Sequence, residues 1–354
     1  MLPPIFGPLT VVFMSSRRAT LHDVARAAGV STTTASDALA GRGRVADRTR
    51  AHILEVASGL GYVASAVARG LRSGTAGVIG LFIPEETVGL DYYLQLMQGA
   101  AEAAIGEGLA ITLVPPGIRR EQMAALALDG LIVSDPSLTD PVMETVRGLP
   151  VPHVTLERDL APDATAAAVV TIDHRHGVET LLTHLADQGA RRIAALVPPS
   201  TTAFGADLHR LFAESDHDVR VRDVNFATDP EQIVAEVTAV LDDAPDAIVA
   251  APDGAARLAL DVLLSHGIEV PHQMLLAGYT DTAAYVFSRP DITAVDLAPR
   301  STGRIAVHAV CDVLAGRPVR PMLVESSLRV RASTAGPVRP RHEAASDAGG
   351  DPIV

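Results

Sequence analysis

The sequence predicts an α/β protein: a small, all-α N-terminal head followed by a larger, doubly wound body. Three observations carry this. Two short apolar stripes with helical spacing flank Gly29-Val30 near the N-terminus. Beyond Gly74, short β-branched runs alternate with helical stretches, the pattern of parallel sheets covered by helices. Charge is also divided: from Ser15 to Gly74 nine arginines oppose four carboxylates, although the whole chain carries −13. The rest must then hold about −18. A basic head on an acidic body is an electrostatic footprint of phosphate binding, with the body repelled wherever the head does not lead.

A chain of 354 residues is too long for one ordinary core, and 48% hydrophobic with 20% charged residues is a globular composition. Cys311 is the single cysteine, so no intramolecular disulfide forms and a reducing compartment fits; it reads as a small core residue. CxxC and HExxH are missing, and no run of 18 apolar residues marks a membrane span. The segment Met1 to Phe13 is apolar but lacks a charged leader region and a cleavage site, so residues 1–18 are expected to be a disordered or mis-assigned extension with Met14 the true start.

Within the head, Leu21, Val24, Ala25 and Ala28 recur at i, i+3, i+4 and i+7. Thr20 is placed to cap that helix, Asp23 suits its positive end, and Gly29 stops it. Ser31 can cap a second helix whose inner face is Ala35, Ala38 and Leu39. Two short helices joined by a glycine-containing turn define a helix-turn-helix, whose second helix enters the major groove. Its exposed residues would be Thr32, Thr33, Thr34, Ser36 and Asp37. Threonine bonds base edges or phosphates, and aspartate accepts from cytosine N4; Asp37 could equally pair with a neighbouring arginine. A third helix follows an Asp47 cap, with Ile53, Val56, Ala57 and Leu60 facing inward. Ala64 to Arg72 is a weak helix, interrupted by Gly70, that forms only when something else holds it.

In the body, strands are expected at Val78 to Ile83, Ile111 to Val114, Gly130 to Val133, His153 to Leu156, Val169 to Ile172, Ile193 to Val197, Ala247 to Ala250, Leu275 to Ala277 and Ile292 to Val295. Ligands of such sheets lie at the carboxyl ends of strands. No GxGxxG follows the first strand, and neither GxxxxGK[ST] nor GxSxG occurs, so no enzyme chemistry or cofactor is supported. His174 and His176 read as residues of a solvated loop in preference to a metal site.

The head resembles the lactose-repressor (LacI/GalR) family in the runs LHDVARAAGVS, ASDALAG and VADRTRAHILEVASGLGY, followed by a short helix with Leu71. The resemblance implies a headpiece over 19–63 and a hinge helix over 64–74 that orders on DNA, with Leu71 as a minor-groove wedge. The implied DNA-facing residues are Thr20, Ser31, Thr32, Thr33, Thr34, Ser36, Asp37, Arg44, Arg48, Ala68 and Leu71. Ala35-Ser36-Asp37 replaces the family's Val-Ser-Arg, which implies an altered operator, and Ala64-Ser65 replaces its Pro-Asn at the hinge.

Residues 75–335 are similar to the family's effector domain, itself like the periplasmic binding proteins, and 336–354 read as a disordered tail. One lobe is expected to comprise about 75–172 and 292–323, the other about 173–291 and 324–335. By this resemblance Tyr92, Tyr93, Glu157, Asp253, Thr280 and Asp281 are the effector-binding residues, although one tyrosine could merely fill the lobe interface. Pro252 and Thr280 replace an Asn and an Asp that hold ligand in the family, and no Arg occurs from Ser200 to Asp207 where one is expected; this argues against an ordinary monosaccharide. The implied protein is a cytoplasmic, nucleoid-associated repressor acting as a homodimer on a pseudo-palindromic operator of double-stranded DNA, controlled by a small-molecule effector. A regulator that has lost ligand control and a solute-binding protein are the alternatives; the latter leaves the basic head without a purpose.

Overall fold

The computed structural model describes residues 19–39, 41, 43–62, 75–84 and 90–336. They form two compact units that divide after Ala76. The proposed extension, the hinge helix and all but the first residue of the proposed tail lie outside the described residues.

The head consists of α1 (Leu21–Ala27), α2 (Thr32–Leu39) and α3 (Asp47–Gly59). Thr20 and Asp23 form a reciprocal capping box at α1, and Gly29, at φ +66°, turns the chain toward α2. Val24, Ala25, Ala35, Ala38, Ile53 and Ala57 make the core, with alanines letting the short helices approach closely. Two expectations need correction. Asp47 is the first residue of α3 and Ala46 is its cap, so the carboxylate acts on the positive helix end and not as a cap. Leu60 is exposed, because it follows the last turn of α3.

The body comprises two six-stranded sheets of matching order. The first lobe contains β1 (Val78–Phe82), α4 (Asp91–Gly106), β2 (Ala110–Val114), α5 (Arg120–Ala125), β3 (Gly130–Ser134), α6 (Val142–Arg147), β4 (His153–Leu156) and β5 (Ala168–Ile172). The second contains α7 (His174–Asp187), β6 (Arg192–Val197), α8 (Ala203–Glu214), β7 (Asp218–Asp223), α9 (Pro230–Val240), β8 (Ala247–Ala250), α10 (Ala255–Ser265), β9 (Leu275–Gly278), α11 (Ala283–Val286) and β10 (Thr293–Asp296). The chain then returns to the first lobe as α12 (Pro299–Leu314) and β11 (Met322–Val324), and crosses back as β12 (Ser327–Arg329). The orders are β11-β5-β4-β3-β1-β2 and β12-β10-β9-β8-β6-β7, with only the β10–β12 pair antiparallel.

The lobes repeat one device. Asp129, just before β3, accepts the backbone N–H groups of Gly77 and Val78 at 2.6 and 3.2 Å. Asp246, just before β8, accepts those of Arg191 and Arg192, both at 2.9 Å. Each carboxylate satisfies donors that would be orphaned where the lobe's first strand begins. The first lobe is also joined by close packing of α4 on α12: a Cβ at Gly99 would lie 2.0 Å from the Arg300 carbonyl oxygen, and one at Gly303 2.1 Å from that of Leu96.

Nine strands occur where the residue pattern places them, and β7, β11 and β12 are additional. The strand β10 belongs to the second sheet, so the chain leaves that lobe after Asp296 and not before Ile292. His174 and His176 are not in a solvated loop: Asp173 caps α7 through the His176 N–H at 2.9 Å, and His174 is buried.

Candidate functional site

Two surfaces carry the candidate side chains, one on each unit. On the head, Ser31, Thr32 and Thr33 are exposed at the start of α2, while Thr34, Ser36 and Asp37 are half-buried. The Ser31 Oγ accepts the Thr34 N–H at 3.0 Å, as a cap does, and lies 2.8 Å from the Thr34 hydroxyl. Thr20 is committed to its own cap, donating to Asp23 Oδ2 at 2.6 Å. Arg44 and Arg48 are exposed. Among the described residues, no arginine forms an ion pair with Asp37, whose carboxylate lies over Gly43. Ala68 and Leu71 lie outside the described residues.

In the body, a cleft opens between the lobes at the carboxyl ends of their strands, with a cavity of about 40 Å³. Tyr92, Tyr93, Glu157, Asp253 and Thr280 all line it. Asp281 does not: its carboxylate accepts both arms of Arg331 at 2.8 and 2.7 Å, away from the cleft. That bidentate pair corrects its assignment to the effector site.

The cleft also contains residues that the sequence reading passed over: Asp135, His174, Phe204 and Phe226. Asp135 follows the fully buried β3, so the carboxyl-end rule alone could have found it. Phe204 occupies the stretch where an arginine was expected.

Asp135 and Glu157 directly follow the neighbouring strands β3 and β4, and both hold left-handed backbone, at φ +45° and +68°. Such strain persists where the surrounding structure fixes it, and it clusters at ligand sites. The Tyr93 hydroxyl donates to Asp135 Oδ2 at 2.5 Å. Burial still pushes the Asp135 carboxyl up to about 7; the Tyr93 bond opposes the rise and the Glu157 charge adds to it. Glu157 Oε1 accepts the Ile172 N–H at 2.9 Å, whereas Oε2 has no hydrogen-bond partner. His174 Nε2 is 3.3 Å from Oε1 but is not aligned for a hydrogen bond.

Of the two tyrosines, Tyr93 is buried and committed to Asp135, while Tyr92 is half-buried and stands edge-to-face to it at 5.1 Å. Burial holds the Tyr92 hydroxyl well above its ordinary value, reinforced by Asp135 and Glu157. Phe204 packs edge-on against His174 and Phe226, at 5.3 and 5.8 Å. Polar bonds join the lobes around this cleft. The Tyr92 N–H donates to Asp253 Oδ2 at 3.0 Å, and the Ala283 N–H to Asp91 Oδ2 at 3.1 Å. Leu138 N–H reaches the Thr201 carbonyl at 2.9 Å, and Arg158 pairs with Asp207 at 2.8 Å. Burial raises the Asp253 carboxyl, with the Tyr92 N–H bond opposing.

Comparison with known proteins matches residues 20–65 to the model for bacterial regulatory proteins of the lacI family and residues 182–334 to a periplasmic binding protein-like domain. The head therefore carries a LacI-family DNA-binding domain and the body a periplasmic binding protein-like domain. The chain is a DNA-binding transcriptional regulator and not an enzyme. It is 28% identical over 337 residues to the HTH-type transcriptional regulator CelR of Thermobifida fusca, covering 90% of this chain and 98% of that one. It is 27% identical over 309 residues to the transcriptional repressor PurR of Vibrio cholerae, covering 83% and 91%. The solved CelR–cellobiose complex superposes with a TM-score of 0.64 at 25% identity, covering 89% of this chain and all of that one. The lac repressor dimer bound to operator and the anti-inducer ONPF shares the fold, at a TM-score of 0.71, 21% identity, and coverage of 90% and 99%. Among the described residues, no helix is long and apolar enough to cross a membrane.

Proposed function

We propose that this regulator is a cytoplasmic, nucleoid-associated repressor of the LacI family that binds a pseudo-palindromic operator as a homodimer. Half-sites about one helical turn apart would match a two-fold pair of heads. The observation that carries this reading is the exposed, hydroxyl-rich first turn of α2 on a head bearing Arg44 and Arg48 at its surface. Asp37 acts there as an acceptor for a base edge, which its lack of an arginine partner among the described residues supports.

The effector sits in the inter-lobe cleft and acts by shifting the balance between lobe arrangements. The bonds from Tyr92 to Asp253, Ala283 to Asp91, Leu138 to Thr201 and Arg158 to Asp207 hold the arrangement seen here. A ligand that favours or opposes them changes operator affinity, by a coupling typically about 1–3 kcal/mol and reciprocal between the two ligands. Pro252, Thr280 and Phe204 stand where sugar-holding groups were expected, so the effector is not an ordinary monosaccharide.

Selection from randomised duplexes at low salt tests the DNA assignment. A two-fold consensus is the expected result, and no enrichment of any sequence overturns it. Asp37→Arg should change preference at one position per half-site by about tenfold or more. An unchanged consensus shows that Asp37 reads no base.

A further inference from the structure

The donor and acceptor balance of the inter-lobe cleft goes further than the presence of a ligand. Asp135, Glu157 and Asp253 line it, the lining includes no arginine, and the chain contains no lysine at all. Glu157 is only 4% exposed, yet its Oε2 has no hydrogen-bond partner. A buried carboxylate oxygen in that condition is costly unless something donates to it.

The neighbouring polar groups do not supply that donor. The Tyr93 hydroxyl is used by Asp135, and the Thr280 hydroxyl donates to the Ala251 carbonyl at 3.1 Å. Pro252 has no N–H to offer. The Tyr279 hydroxyl donates to the His174 carbonyl at 3.0 Å, so in its 3.3 Å contact with His174 Nδ1 the ring nitrogen is the donor. His174 Nε2 faces Glu157 Oε1 at 3.3 Å without alignment for a hydrogen bond, and it does not reach Oε2 as a donor. Apart from the Tyr92 hydroxyl, the wall therefore presents acceptors and negative charge, and the rings of Tyr92, Phe204 and Phe226 present aromatic surface.

We infer that the effector is a small organic cation carrying a primary ammonium group, seated against Glu157 and Asp135 with its carbon skeleton on Tyr92, Phe204 and Phe226. This rests on the reading of the cleft as the effector site. A primary ammonium brings three donors and no acceptor, which complements this wall. A neutral polyol brings as many acceptors as donors and leaves its own lone pairs facing carboxylates. The ring faces attract a cation as well as covering an alkyl chain. The Asp135 carboxyl, held up to about 7 by burial, would ionise as the cation arrives, so binding should release a proton near neutrality.

The test uses the full-length protein and calorimetric titration with butylammonium, its neutral analogue 1-butanol, butyrate and cellobiose. Butylammonium should bind about tenfold or more tightly than 1-butanol, and butyrate should not bind. Glu157→Gln keeps the acceptor for Ile172 and replaces the unpartnered oxygen by a donor. It should weaken butylammonium about tenfold while leaving 1-butanol unchanged. Asp135→Asn, tolerant of left-handed backbone, is a second probe should Glu157→Gln fold poorly, and should abolish the proton release. Three outcomes overturn the inference: 1-butanol or cellobiose binding as tightly as butylammonium, undiminished amine affinity in the folded variant, or no heat with millimolar butylammonium. The same preparation is assayed for selection of duplex DNA. Retained selection without amine binding removes the cation and leaves the regulator, whereas loss of selection speaks against the regulator alone.

Discussion

The head and the body solve the problem of building a site in opposite ways. The head assembles its candidate interface from consecutive residues, Ser31 to Asp37, on one helix held by a core of small apolar side chains; among its described residues no polar side chain is buried. The body gathers its cleft from Tyr92, Asp135, Glu157, His174, Asp253 and Thr280, which adjoin different strands and helices, and it buries four ionisable groups among them. A site made of one segment depends on local geometry. A site made of many segments depends on the sheet, and can place charge where a local segment could not.

Three predictions probe this contrast. The largest effect belongs to Asp135. Its folded carboxyl keeps a proton up to about pH 7, whereas the unfolded chain loses it near its ordinary value, about 4. Between those values the folded state binds more protons, so stability falls as pH rises; the contribution is full below about 4 and lost through about 7. Asp135→Asn should remove that slope and raise neutral-pH stability by a figure on the order of 4 kcal/mol. Urea unfolding of the body across that range reads it, and an unchanged slope would sink the assignment.

Next comes Gly99→Val, which drives a side chain into the Arg300 carbonyl and should cost about 3 kcal/mol or more of body stability by forcing α4 and α12 apart. A variant unfolding at the wild-type midpoint would show that this helix contact is slack. The smallest effect is Thr20→Ala. Loss of the capping box should cost about 1 kcal/mol of head stability, read from thermal unfolding of residues 19–62 by circular dichroism, with the body's transition unmoved. Equal melting in both proteins would deny the cap any role.

What could be read from residue order follows the same division. The cap at Thr20, the turn at Gly29 and the inner alanines of α2 are local, so spacing exposes them. Strands such as His153–Leu156 and Ala247–Ala250 announce themselves as short apolar runs because both faces of their sheets are covered. The strand β7 escaped because Asp218–Asp223 alternates valine with arginine at a sheet edge, and β11 and β12 are only three residues long. His174 looked solvated because two histidines and an arginine adjoin; only the turn of α7 decides which side chain points inward. Asp281 stood in a family-like motif, yet Arg331, fifty residues later, had claimed it.

The paired anchors Asp129 and Asp246 have a consequence for how such a regulator changes specificity. Each fastens the beginning of its lobe's leading strand, at the end opposite the cleft. Residues that greet the ligand can therefore be exchanged while the sheets stay in register, so descendants of this scaffold can acquire new chemical tastes without first becoming unstable.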